Sequence, residues 1–253
     1  SFVCSVTAET IHLTTWNLEW FPGRHQVSDA AEKAVHISLV HEELEQITPD
    51  ILLFQEVRSE KSAELAARIL PNMKVAVTSS FPGRQQVSIV SRFEPKETGE
   101  VVFPRISGDP PRGFVRALFP TGEKDAHLLV YAVHLKSNRG GILVNMPKRE
   151  EAVRRLTANE AHYRAQLAAR GITNLLTVVG GDFNTDPTDS QFVGENSARL
   201  FEEAGFRWTF EGLEHTDRIT WVSDGKYPDA CFDGFFVRRN SRGKISAPLV
   251  HLR

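Results

Sequence analysis

Short runs of β-branched and aromatic residues alternate along the whole chain with stretches in which apolar side chains recur at helical spacing. The first kind predicts strands at Ile11 to Thr15, Ile51 to Phe54, Lys74 to Val77, Val87 to Ser91, Phe114 to Phe119, Leu128 to His134, Leu175 to Val179, Ile219 to Val222 and Phe232 to Val237. Gly, Pro or Asp bounds many of them, as expected where a strand leaves a sheet. Two helices follow from the second kind: Ile37, Val40, Leu44 and Ile47 share one face, and Val153, Leu156, Tyr163 and Leu167 share another. A third is expected from about Glu60 to Leu70, ended by Pro71, while Pro49 separates the first helix from the strand after it. Many strands with a few long helices between them predict packed sheets with helices outside. No repeat, low-complexity stretch or long linker divides the chain, so one domain over residues 1–253 is expected.

Bulk properties narrow this only a little. The 253 residues suffice for one large α/β core, and a formal charge of −2 argues against a general polyanion binder while leaving room for a local basic groove. Two cysteines, Cys4 and Cys231, exclude a disulfide framework and a cysteine-built metal site; two separate thiols are preferred over one bridge, with Cys231 packed in a strand. No run approaches the ~18 apolar residues of a spanning helix, so the chain is read as soluble, without a membrane partner, and as a monomer. It opens at Ser1, and SFVCSVTAET lacks the charged and long apolar parts of an export signal. A secreted or periplasmic location is slightly preferred over a cytoplasmic one.

The chemistry collects just after apolar strands. Asn17 and Glu19 follow the first, Glu56 the second, His134, Lys136 and Asn138 end VYAVHLKSN, Asp182 and Asn184 end LLTVVGGDFN, and Asp233 lies in CFDGFFV. Taken singly each has a bland reading: a turn or cap for Asp182, a solvated loop acid for Glu56, a hydrogen-bonded structural histidine for His134, a paired structural acid for Asp233. A carboxylate at the end of a buried run is costly unless paired, hydrated or bound to a cation, and five such endings in one domain point to a shared site. Carboxylate and amide oxygens without sulfur suit Mg²⁺ or Mn²⁺. There is no GxxxxGK[ST] loop, no HExxH and no GxSxG elbow.

At these residues the chain resembles the endonuclease/exonuclease/phosphatase superfamily. The matching blocks run in family order: WNLEW at Trp16 to Trp20, LLFQEV at Leu52 to Val57, VSIVSR at Val87 to Arg92, HLKSN at His134 to Asn138, GDFN at Gly181 to Asn184 and FDGFFV at Phe232 to Val237. The resemblance implies a four-layer α/β sandwich, two packed mixed β-sheets flanked by helices, with the site at one edge. It also implies that Asn17 and Glu56 hold the metal, that His134 contacts or protonates the phosphate, that Asp182 orients or deprotonates water and that Asn184 binds a phosphoryl oxygen. Arg116 stands where many members place a phosphate-contacting arginine, with Lys136 and Asn138 as further substrate contacts. Asp233 would orient a histidine near the chain end. Members usually finish with Ser-Asp-His, whereas here the last residues are Leu249 to Arg253 and His251 lacks the preceding acid. The preferred expectation is that the chain ends before this motif; the other is a site that manages without it.

DNA is the expected substrate. Lys136, Arg139, Lys148, Arg149, Arg154 and Arg155, and the acid-free stretch from Arg238 to Arg253, offer cations to a phosphate backbone, against the simpler reading of solvated faces. Trp16, Trp20, Phe21, Trp208 and Trp221 offer stacking surfaces, and Trp20 to Ser28 is expected to be a loop beside the site. A small or lipid-headgroup phosphate ester is the first rival substrate, and a binding module without turnover the second.

Overall fold

Every long apolar strand of this chain has to bury both faces, and two sheets stacked between helices achieve that. The computed structural model describes residues 10–104, 110–121, 125–223, 225 and 227–239. A four-stranded sheet has the order β1 (Leu13–Phe21), β2 (Ile51–Val57), β4 (Gln86–Ser91), β3 (Lys74–Thr78). A six-stranded sheet runs β5 (Glu97–Val101), β6 (Phe114–Pro120), β7 (Ala126–His134), β8 (Asn174–Asp182), β10 (Asp233–Arg239), β9 (Arg207–Trp208). Both sheets are mixed: β1 and β2 are parallel, as are β7 and β8, and the other pairings are antiparallel.

Alternation along the strands sorts side chains between layers. Ile51, Leu53 and Ile89 from the first sheet meet Val115, Ala117, Leu128, Val130 and Val178 from the second, forming the central core. The opposite face of the first sheet, with Leu52, Phe54 and Val90, packs on α1 (Ala30–Ile47) and α2 (Glu60–Ala67). The opposite face of the second, with Leu129, Tyr131 and Val179, packs on α3 (Ile142–Ala169) and α4 (Ser197–Glu203). These are the four layers expected. Helix α1 starts on a reciprocal cap: Asp29 Oδ1 accepts from Glu32 N at 2.8 Å and Glu32 Oε2 accepts from Asp29 N at 2.9 Å.

Three short elements carry too little pattern to be foreseen: β5, the polar segment ETGEV at a sheet edge, β9 with two residues, and α5 (His215–Arg218). The strand expected at Ile219 to Val222 is absent apart from one bridge between Trp221 and Ala230. The N–H groups of Phe232 and Asp233 donate to Thr220 Oγ1 at 2.9 Å each, so side-chain bonding replaces a ladder there. Trp221 packs its ring against Phe232 at 5.5 Å, and Val222 is exposed. Cys231 is a buried free thiol beside this segment, and Cys4 lies outside the described residues.

The two glycines of GGD are packing requirements. A Cβ on Gly180 would lie 2.6 Å from Leu53 Cδ1 of the facing sheet and 2.6 Å from the Phe235 ring. At Gly181 the left-handed φ of 152° goes with a close approach, since a Cβ would stand 2.0 Å from Val133 O. Gly180→Ala is expected to destabilise the fold by ~1–3 kcal/mol through overpacking, measured by urea unfolding. Combined with Leu53→Val it should cost less than the sum of the two single changes; strict additivity would show that the two positions are not in contact.

Candidate active site

Strand direction brings the polar endings together. β1 and β2 end at the same edge of the first sheet, β7 and β8 end at the corresponding edge of the second, and antiparallel β10 begins there. His134 and Asp233 are therefore the two register partners of Asp182, one on each neighbouring strand. Across the sheets, Asn17 Nδ2 donates to Asp182 Oδ2 at 2.9 Å and reaches Glu56 Oε1 at 3.5 Å. His134 Nε2 stands 3.7 Å from Glu56 Oε1 and 3.6 Å from Asp182 Oδ2. Asn17, Glu56, His134 and Asp182 thus converge on one point.

The backbone bends to allow this. The β1–β2 register shifts between Asn17 and Phe21, and the β2–β4 register between Phe54 and Val57. Such irregularities re-aim side chains at a sheet edge. Left-handed φ values occur at Glu19 (45°), Trp20 (62°), Glu56 (58°) and Asn184 (52°), each costing on the order of 1–3 kcal/mol and all of them beside this edge.

Electrostatics follow from burial. Desolvation, with the charge of Glu56 adding to it, raises the Asp182 carboxyl to about 6, although bonds from Asn17 and from Asn184 N (2.8 Å) oppose the shift. Burial raises the Asp233 carboxyl well above the usual carboxylate range, reinforced by the charge of Asp182. Asp233 Oδ2 accepts from Thr220 Oγ1 at 3.2 Å, while Oδ1 has no hydrogen-bond partner among the described residues. Burial and the cations Arg112 and Lys136 push His134 well below its ordinary value, so its imidazole is neutral. Its Nδ1 has no partner among the described residues, which fits a proton on Nε2, the nitrogen facing the carboxylates.

Other expected contacts are placed differently. Arg116 lies on the face of β6 opposite the central core; its guanidinium covers the Tyr163 ring of α3 at 4.2 Å, on the helix side of the sheet and away from the carboxylates. The arginine that faces the site is Arg112, just before β6, whose charge acts on Glu56, Asp182 and His134. Its Nη1 donates to Leu135 O at 3.3 Å and its Nη2 to Gln85 Oε1 at 2.7 Å. The signal for it is topological: β6 is antiparallel to β7, so the start of β6 lies beside the end of β7. Asn138 spends both amide atoms on the protein, donating to Asn184 O at 3.0 Å and accepting from Arg149 Nη1 at 2.9 Å. Asn184 Nδ2 donates to Leu135 O at 3.3 Å. These two asparagines tie the loops after β7 and β8 to each other.

Several expected cations are also consumed. Arg149 is fully buried and paired in two bonds with Glu195, at 2.8 and 2.6 Å. Arg154 pairs with Glu150 and Glu151, and Arg155 with Glu151. Arg238 pairs with buried Glu160, and residues 240–253, including His251, lie outside the described residues. Trp208 is a core residue, whereas Trp20 lines an open groove of about 490 Å³ with Phe81, Pro82, Arg84, Gln85 and Arg112.

The donor set suits a hard divalent ion. Two carboxylates and an amide meet without sulfur, and the Asn17 N–H groups occupy the position where positive charge is needed. No cluster of three or more His, Cys, Asp and Glu forms a ready cage among the described residues. That is compatible with Mg²⁺, which commonly takes one or two protein carboxylates and completes its shell with water and substrate phosphate.

Solved structures with this architecture include a humanised D. rerio TDP2 carrying 14 mutations, at TM-score 0.66 and 18% identity, over 92% of this chain and 85% of that one. D. rerio TDP2 complexed with a single-strand DNA product aligns at TM-score 0.63 and 18% identity, over 90% and 84%. The human Nocturnin catalytic domain with bound sulfate aligns at 0.60 and 16%, over 90% and 82%. No curated protein matches the chain in sequence. The family match spans residues 14–245, from the first strand past the last, and takes in every residue of the site. The chain belongs to the Endonuclease/Exonuclease/phosphatase family, and is a phosphoesterase of that group.

Proposed function

We propose that the protein hydrolyses phosphodiester bonds in DNA with the help of Mg²⁺ or Mn²⁺. The observation that carries this reading is the convergence of Glu56, Asp182 and His134, with the charge of Arg112 acting on the two carboxylates. DNA as substrate draws support from the groove beside Trp20 and Arg112, and from the D. rerio TDP2 structure complexed with a single-strand DNA product.

Glu56, with Asn17, would hold the metal, which when bound neutralises phosphate charge and favours attack by water. Arg112 adds a fixed guanidinium to the phosphate oxygens, already oriented by Leu135 O and Gln85. His134 donates from Nε2–H to a phosphoryl oxygen, and the neutral imidazole keeps that proton available. Asp182 accepts the proton released as water attacks phosphorus, a task suited to a carboxyl raised to about 6. Asn138 and Asn184 hold the loops that carry these groups, so their effect on the phosphate is indirect.

Supercoiled plasmid should be nicked with Mg²⁺ or Mn²⁺ and left intact with EDTA or with Glu56→Gln. The same variant should lose the metal-induced rise in melting temperature that a bound ion confers. Retained nicking and an unchanged metal response in Glu56→Gln would remove Glu56 from the metal site. Cleavage of bis-p-nitrophenyl phosphate but not of plasmid would leave the phosphoesterase and replace DNA by a small ester.

Arg112→Ala and His134→Ala should each lower kcat/KM by ~10²-fold or more, whereas Arg116→Ala should leave it within about threefold of the parent. The reverse order for the two arginines would show that the phosphate approaches from the other side of β6.

A further inference from the structure

Of the six cations clustered in sequence after β7, three have no carboxylate partner among the described residues. Arg149, Arg154 and Arg155 are ion-paired, whereas none of the described ion pairs involves Lys136, Arg139 or Lys148. Lys136 is held below its ordinary value by desolvation first and then by the charges of Arg112, Lys148, Arg149 and Arg139, and its Nζ donates within its own loop, to Ser137 O at 3.1 Å and to Arg139 O at 3.4 Å. Unneutralised like charges in one place are unfavourable for the free protein, and a bound anion relieves them.

The loop that bears Lys136 and Arg139, with Lys148 beside it on α3, is built from inside. Arg149 Nη1 donates to Lys136 O at 2.9 Å, and buried Asn145 Nδ2 donates to Arg139 O at 3.0 Å and to Gly141 O at 2.9 Å. Its carbonyls therefore point toward buried donors, while the Arg139 side is exposed. The same loop adjoins the reacting centre, since it begins two residues after His134 and is tied through Asn138 to Asn184. A rigid cationic surface, one loop away from the scissile phosphate, is a second anion subsite.

We propose that Lys136, Arg139 and Lys148 form a second phosphate subsite, which receives the phosphate next to the one being cleaved and so selects polynucleotide over a lone phosphodiester. This rests on the nuclease reading above for the identity of the substrate, but the contact itself is with phosphate.

Two chromogenic esters with the same scissile group isolate the added phosphate: the p-nitrophenyl ester of thymidine 5′-phosphate and that of the dinucleotide pTpT. The parent protein should prefer the dinucleotide ester by about tenfold in kcat/KM, chiefly through KM, the effect of one hydrogen-bonded contact to a charged group. Arg139→Ala with Lys148→Ala should abolish the preference and leave turnover of the mononucleotide ester unchanged. The salt dependence of the dinucleotide reaction should fall by about 0.7 in log–log slope for the one lost phosphate contact. Arg139→Lys should keep the preference. Equal use of both esters by the parent, or a preference that survives the double change, overturns the subsite. A preserved dinucleotide preference without plasmid nicking overturns DNA as substrate and leaves the subsite standing; nicking with an ineffective double change does the opposite. Calorimetric titration of pT and pTpT in EDTA reads the same contact without turnover, and equal affinities there count against it.

Discussion

One amide group, the Nδ2 of Asn17, joins the two sheets at the edge where the chemistry sits, by donating to Asp182 and approaching Glu56. Its partners are negative charges contributed by separate sheets, and the stacking of those sheets forces them together. Removing them from water without a cation is expensive, which is why the Asp182 carboxyl rises to about 6 and that of Asp233 rises well above the usual carboxylate range. The bulges in β1 and β2 and the left-handed residues lie at the edge where these carboxylates crowd, and burial beside Arg112 and Lys136 keeps His134 neutral there. A site strained in this way is prepared for a divalent ion and a phosphate, whose charges answer one another.

Support for the site comes from a buried chain of polar contacts behind it. Glu195 holds Arg149, Arg149 holds Asn138 and the Lys136 carbonyl, and Asn138 holds the Asn184 carbonyl. Breaking a buried pair by deleting one partner costs roughly 3–5 kcal/mol, because the other charge stays behind unpaired. This chain fixes the loop after β7 against the loop after β8, so that His134 and Asp182 keep their spacing while Arg139 of the first loop is exposed. Catalytic distances and the electrostatic approach path are thus set by the same scaffold.

Reading the residues in order captured much of this. Asn17, Glu56, His134 and Asp182 each announce themselves as polar residues ending apolar strands, and the GDFN and HLKSN blocks have enough specificity to name the family. Arg112, whose charge acts on Glu56 and Asp182, was not singled out, whereas Arg116 lies on the helix side of β6, because strand periodicity says that alternate residues face opposite layers but not which layer is which. The strand expected at Ile219 to Val222 failed for a related reason: a β-rich run needs a partner with free N–H groups, and Thr220 had already taken those of Phe232 and Asp233.

The order of apolar and polar residues by itself determined most of the strands, the long helices and the ends at which the chemistry gathers, because these depend on local periodicity and on side-chain chemistry. Tertiary structure alone decided which cations are free. Arg139 and Arg149 look alike in the sequence, yet one is exposed and the other is fully buried against Glu195, forty-six residues away. Charge is a property of the side chain, but its availability depends on burial and on distant partners, and those exist only once the layers have packed.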